Sequence, residues 1–267
     1  MISRDSRAVV TGAGSGLGAA LCDLLAAQGG RIIAADLDLA AATVTATRCG
    51  SNVHPVQCDV ADLHAVERLA DQADKLLGGV DLLVNNAGVA VIGQVGVVPI
   101  ADWRWVIDVN LWGVIYGCHV FVPKLRAQRR GHVLNVASAA GLVAMPTMAP
   151  YNVTKAAVVA LSETLYADLA DDGVGVSVLC PSFFPTNLTR SPRTSVDAKL
   201  HGAAMRLVEK GGWTAEQVAR SALAGVDAGT LHITPQLDLR WAWRLKRLAP
   251  TMFQRLSRRV AARMIGK

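Results

Sequence analysis

The chain has 267 residues, of which 52% are hydrophobic and only 18% charged, with a formal net charge of +6. That size and composition exclude a disordered chain and support one large domain with an extensive core. The charge is uneven: residues 236–267 hold nine Lys/Arg against one acid, Asp238, a net of +8, so the remainder stands at −2 and no nucleic-acid-binding body is indicated. Five cysteines (Cys22, Cys49, Cys58, Cys118, Cys180) show no C-x-x-C spacing, so neither a disulfide framework nor a metal site is expected. The first residues pass directly into a strand-like run without a signal-peptide core, which points to a cytoplasmic protein.

The first β-rich run, AVVTG at 8–12, leads through TGAGSGLG at 11–18 into a helical stretch from Gly16. Glycines let a backbone turn tightly against a pyrophosphate whose charge then meets the free N–H groups of a helix N-terminus. The spacing is G-x-x-x-G-x-G through Gly12, Gly16 and Gly18. A G-x-G-x-x-G register from Gly12 would put Leu17 third, and the missing Gly-Lys-Ser/Thr excludes a P-loop. With Ser15 and Leu17, these glycines are the candidate dinucleotide-phosphate contacts.

The second run, RIIAAD at 31–36, ends in Asp36, eighteen residues after Gly18. A carboxylate there can accept hydrogen bonds from an adenosine ribose and repels a 2′-phosphate, so NAD is expected over NADP. Arg31 begins the same strand, roughly 16 Å away at ~3.3 Å per residue, too far to rescue a phosphate. A turn residue, or a cap for the helix from Asp38, is the plainer reading of Asp36.

Further runs follow: VHPVQCD at 53–59, DLLVNNAG at 81–88, HVLNVAS at 132–138, GVSVLCP at 175–181 and LHITP at 231–235. Helical segments such as DLHAVERLADQADKLL separate them. The alternation predicts a single-domain α/β fold over residues 1–235: a Rossmann-like, doubly wound parallel sheet of about seven strands with helices on both faces. The longest apolar run, LWGVIYGCHVFV at 111–122, falls short of the ~20 residues of a membrane span and reads as a buried helix. Small and polar residues end the strands, where such sheets bind ligands, although turns favour the same residues.

Within the predicted helix opened by Pro150, the segment APYNVTK places Tyr151 and Lys155 one turn apart on one face. To act as a base near neutrality a tyrosine must lose roughly 3 pKa units, about 4 kcal/mol, and a fixed cation supplies part of that. The spacing alone is common on solvated helices.

Taken together, TGAGSGLG, CDV at 58–60, NNAG at 85–88, Asn110 in VNLWG, Ser138 in NVASAAG, YNVTK and PSFFPT resemble the short-chain dehydrogenase/reductase family in order and spacing, over residues 7–235. The resemblance implies an oxidoreductase with Asn110, Ser138, Tyr151 and Lys155 as a catalytic tetrad. It further implies Asp59 and Val60 at the adenine, Asn86 at a cofactor ribose, and Thr186 at the nicotinamide carboxamide. Lys155 is then expected to lower the Tyr151 pKa and hold the nicotinamide ribose, Ser138 to bind the substrate oxygen, and Asn110 to hold a water against Lys155. One departure is Pro181-Ser182 where the family often has Pro-Gly, so altered geometry is expected there.

The segments 139–150 and 89–92 are almost wholly apolar, so the expected substrate is a hydrophobic secondary alcohol or ketone. Residues 187–212 read as a substrate lid. A homo-oligomer, dimer or tetramer, is the expected assembly. A non-catalytic NAD sensor would keep the loop and Asp36 without needing the tetrad. The extension 236–267 reads as basic and amphipathic after Pro250, with Trp241 and Trp243 upstream among cations. Packing on its own subunit or a copy, contact with an anionic lipid surface, and docking of an acidic protein all remain open for it.

Overall fold

The computed structural model describes residues 5–185, 188 and 212–265. Seven strands, β1 Arg7–Thr11, β2 Arg31–Asp36, β3 Val53–Gln57, β4 Leu82–Asn85, β5 Gly131–Val136, β6 Val174–Leu179 and β7 His232–Ile233, pair in parallel in the order β3-β2-β1-β4-β5-β6-β7. Between and after them run α1 Gly16–Ala27, α2 Leu39–Cys49, α3 Leu63–Leu77, α4 Ile100–Ile107, α5 Gly113–Gln128, the short α6 Ala139–Leu142, α7 Ala149–Asp168, α8 Ala215–Asp227, α9 Leu237–Leu248 and α10 Pro250–Ile265.

The near-continuous apolar strands are explained by burial on both faces. In β1, Ala8 and Val10 join a core with α1 and α8, while Val9 joins one with α3, α5 and α7, and all three are fully buried. Six of the seven strands end before the predicted runs do, at Thr11, Gln57, Asn85, Val136, Leu179 and Ile233. The strand order reverses between β1 and β4, and there the carboxyl ends open a cleft.

The apolar run at 111–122 belongs to a continuous helical stretch, Ile100–Gln128, of 29 residues. By length and composition that stretch could cross a membrane. Instead Val114, Cys118, Phe121 and Leu125 line its core face, whereas Trp112 is exposed and stacks on Tyr116 at 5.5 Å. The expectation of a buried helix therefore holds for one face only. A π-turn at Asp108–Trp112 breaks the regular α-pattern, with the Gly113 N–H donating to the Asp108 carbonyl, and it carries Asn110.

Candidate active site

The cleft holds about 780 Å³, within the range of small-molecule sites. Its first end is made by backbone. Gly12 adopts φ +65, and a Cβ there would stand 2.8 Å from Ala87 Cα. Gly18 lets α1 close on the loop, since its Cβ would lie 2.1 Å from the Gly12 carbonyl oxygen. Gly12, Ser15, Gly16 and Leu17 line the cleft, whereas Gly18 acts from behind through this packing. Ser15 caps α1 without a side-chain hydrogen bond, and no acid stands in the first turn, so an anion can face the helix N-terminus.

Asp36 reaches the same end. Its Oδ2 accepts from the Gly14 N–H at 2.8 Å and its Oδ1 from the Asp38 N–H at 3.0 Å. The turn role and the cleft-lining role are thus held by one carboxylate, while Asp38 caps α2. Gly14, absent from the spacing read in the sequence, was marked there only by its place between Gly12 and Gly16. Arg31 donates to the carbonyls of Leu76 and Leu77, away from the cleft. Asp59 closes an Asx turn on the Ala61 N–H, and both Asp59 and Val60 line the cleft.

Asn86 lines the cleft beside the glycine loop. Its Nδ2 donates to the carbonyls of Thr11 and Gly12, at 2.8 and 3.2 Å, tying the end of β4 to the glycine loop. Thr11 Oγ1 accepts from the N–H groups of Asn86 and Ala87. Thr11 is a site-building residue that the sequence showed only as a strand end.

The second end is made by side chains from separate elements. Pro150 sits in the first turn of α7, as its ring requires, and Tyr151 and Lys155 follow on the inward face, 6% and 3% exposed. Lys155 Nζ donates to the Val136 carbonyl at 2.9 Å and lies 5.7 Å from the centre of the Tyr151 ring. Ser138 caps α6, its Oγ accepting from the Ala140 N–H at 3.2 Å, and it hydrogen-bonds the Tyr151 hydroxyl.

Burial decides the electrostatics here. It pushes the Tyr151 phenol up to about 12, against the downward pull of the Ser138 hydrogen bond, and it pushes Lys155 down to about 8. In the cofactor-free protein the desolvation of both groups dominates, and the Ser138 hydrogen bond is what pulls the phenol downward. Without cofactor, burial favours the protonated phenol of Tyr151.

Asn110 is fully buried. Its Oδ1 accepts from the Val89 N–H and its Nδ2 donates to the Val89 carbonyl, both at 2.8 Å, with Thr154 Oγ1 at 3.3 Å. The side chain is committed to the backbone of the substrate wall. A Cβ on Gly88 would stand 3.3 Å from Asn110 Oδ1 and 3.5 Å from Lys155 Nζ, so the glycine keeps a small space between them.

The apolar segments divide. Val89, Ala90, Ile92, Met145 and Met148 face the cleft, whereas Val91 and Leu142 turn into the core. Asn152, unread in the YNVTK segment, clamps the Met145 loop by accepting from its N–H and donating to its carbonyl. Ser182 needs no glycine-like backbone, as its φ is not positive. Its N–H donates to Gln236 Oε1 at 3.0 Å and its Oγ to Asp238 Oδ2 at 3.3 Å, which anchors the start of α9 at the cleft. Thr186 and most of the lid segment 187–212 lie outside the described residues.

The sequence model of the family described as short chain dehydrogenase matches residues 6–197. The chain is 40% identical over 193 residues to 1-deoxy-11-beta-hydroxypentalenate dehydrogenase of Streptomyces avermitilis, covering 69% of this chain and 71% of that protein. It is 34% identical over 232 residues to 2-(R)-hydroxypropyl-CoM dehydrogenase of Xanthobacter autotrophicus, covering 83% and 92%. A crystal structure of a short chain dehydrogenase/reductase from Burkholderia phymatum in complex with NAD superposes with a TM-score of 0.87 at 36% identity, over 92% of this chain and 95% of that one. With a parallel seven-stranded sheet, a glycine loop at its switch point and a serine, tyrosine and lysine meeting in the cleft, this protein belongs to the short-chain dehydrogenase/reductase family of oxidoreductases.

Proposed function

We propose that the protein is an NAD-dependent dehydrogenase of a hydrophobic secondary alcohol, or reductase of the matching ketone, with Ser138, Tyr151 and Lys155 at the reacting centre and Asn110 behind them. The carrying observation is that the serine, tyrosine and lysine converge at one end of a single cleft whose other end holds Asp36. The residues fit the cofactor: the open N-terminus of α1 suits a pyrophosphate, and Lys155 is the sole Lys or Arg among the described lining residues. Three carboxylates, Asp36, Asp38 and Asp59, line the adenosine end, so a 2′-phosphate there would meet repulsion without a compensating cation among the described lining residues.

When bound, nicotinamide supplies the hydride chemistry. Tyr151 gives its hydroxyl proton to a ketone oxygen or, as the phenolate, takes the proton from an alcohol in the reverse direction. Ser138 hydrogen-bonds the same substrate oxygen as its charge changes. Lys155, with a pKa of about 8, carries a positive charge at neutral pH beside the phenolate as it forms. Val89, Ile92, Met145 and Met148 provide an apolar wall that favours an uncharged, hydrophobic substrate. The exposed Trp112, stacked on Tyr116, offers the expected homo-oligomer an apolar face.

Purified protein incubated with NAD⁺ or NADP⁺ and a panel of aliphatic, cyclic and charged secondary alcohols tests the reading through the absorbance of the reduced cofactor. NADH formation with the apolar alcohols is expected. Equal or better use of NADP⁺, or preference for a charged alcohol, would falsify the corresponding part.

A further inference from the structure

The C-terminal helices present two faces of opposite character, and only one is used by the fold. On the inner side of α9, Leu239 is buried in the core, Trp243 packs on His232 at 5.1 Å, and Lys246 Nζ donates to the Leu142 carbonyl at 2.6 Å. Together with the Ser182 contacts of Gln236 and Asp238, these bonds fix α9 against the cleft wall at Ser182 and against the end of α6 at Leu142. On the outer side, Leu237, Trp241, Arg244 and Leu248 fall within about 60° of one another on a helix of ~3.6 residues per turn. The three apolar members are 66%, 66% and 85% exposed. Past the turn at Ala249, α10 continues with exposed Met252 and Leu256 among exposed Arg255, Arg258 and Arg259.

Beside the stripe, a groove between α9, α8 and β7 is lined by Arg240, Arg244 and Arg247 with Trp243 and Thr230, and by no acid. Arg244 and Arg247 lie over the rings of Trp241 and Trp243, at 5.5 and 5.3 Å, and neither forms an ion pair among the described residues. Apolar side chains flanked by unpaired guanidinium groups match the boundary between acyl chains and phosphate headgroups.

We infer that α9 and α10 dock the protein on an anionic lipid surface, with Leu237, Trp241 and Leu248 entering the acyl boundary and Arg240, Arg244 and Arg247 taking headgroup phosphates. An acidic protein would answer the arginines but not the exposed Leu237, Trp241 and Leu248, and two further occupants fail on charge or polarity. A second copy seated on the same face would set a segment of net charge +8 against its equal. A nucleic acid would satisfy the arginines and leave Leu248 and Trp241 in water. Docking through α9 would also hold the cleft beside the bilayer, because the inner face of that helix is bonded to Ser182 and Leu142. The inference does not depend on the proposed NAD chemistry.

The test is sedimentation of the full-length protein with vesicles of phosphatidylcholine alone and of phosphatidylcholine mixed with phosphatidylglycerol. Binding is expected to the mixed vesicles only, and to weaken as salt rises from ~0.1 to ~1 M and the Debye length falls from about 10 to 3 Å. Each Lys or Arg near an anionic leaflet contributes about fivefold to binding, so Arg244→Glu with Arg247→Glu is expected to lower the partition coefficient by roughly 25-fold or more. Trp241→Ser with Leu248→Ser changes two exposed side chains and should also release the protein, at an unchanged thermal midpoint. Absence of binding to mixed vesicles, equal binding to neutral ones, or binding insensitive to the Trp241/Leu248 pair each overturns the inference. So does an oligomer that the same pair dissolves while vesicles capture nothing, which would make the stripe a contact between copies.

Discussion

The two ends of the cleft are built by opposite means. At the loop end the ligand meets main chain: a turn that Gly12 and Gly18 allow, the open amides of α1, and Asp36 held by the Gly14 N–H. At the other end it meets Ser138 and Tyr151 side chains, with Lys155 bonded to a carbonyl of β5 and Asn110 bonded to Val89. Tyr151 and Lys155 are almost wholly buried, so titration is perturbed where side chains do the work. Binding and proton transfer should therefore separate by mutation, except at Lys155, which is expected to serve both.

Tyr151→Phe removes the proton donor and leaves the loop end intact. Turnover is expected to fall by ~10²–10⁴-fold or more, while NAD affinity from a fluorescence titration changes less than about twofold. Retained turnover would take Tyr151 out of the proton path.

Lys155→Met should break activity and cofactor affinity yet stabilise the ligand-free fold. Holding this amine charged at pH 7, with a folded pKa of about 8 against 10.5, costs about 3 kcal/mol, offset by ~1 kcal/mol for the lost hydrogen bond to Val136. The sign follows from proton binding. Between pH 8 and 10.5 only the unfolded wild type still holds this proton, so the wild type gains stability as pH rises. The advantage of the variant, measured by urea unfolding, should shrink across that window. A variant less stable than wild type at pH 7 would mean that burial is not the governing cost.

Gly18→Ala probes the loop end. A methyl 2.1 Å from the Gly12 oxygen must displace backbone, at ~1–3 kcal/mol. NAD affinity should weaken by about 5- to 150-fold, with kcat at saturating NAD close to wild type. If kcat falls and affinity stays, the two ends are coupled more tightly than their construction indicates.

The smallest effect is expected from Asp36→Ala combined with Leu37→Arg. Replacing a carboxylate by a phosphate-binding fork should move the NADP-to-NAD ratio of kcat/KM by roughly ten- to hundredfold, about 1.4–2.8 kcal/mol. No movement would sink the assignment of cofactor choice to Asp36.

The same division explains what could be read in advance. Residues 11–18 form a contiguous, backbone-driven pattern and Asp36 ends the next strand, so glycine spacing and a strand-ending acid disclosed the loop end. β2 was read over its full observed length, Arg31–Asp36, because a strand buried on both faces is a near-continuous apolar run. At the other end the motif letters were legible and their work was not. Asn86 proved to be a clamp on the loop, Asn110 a brace for Val89, and Ser182 an anchor for α9.

By itself the sequence determined the alternation of strands and helices, the parallel sheet, the glycine loop and the shared face of Tyr151 and Lys155, since each depends on periodicity or spacing within about twenty residues. Tertiary structure alone decided three other things. It set the pKa values of Tyr151 and Lys155, which follow from desolvation by segments far away in the chain. It turned one face of α9 onto the cleft wall at Ser182 and the end of α6 and the other outward, which an amphipathic pattern permits in more than one way. And it gave Asn86, Asn110 and Ser182 their partners, because a hydrogen bond is chosen by which groups arrive within reach, and only folding brings those groups together.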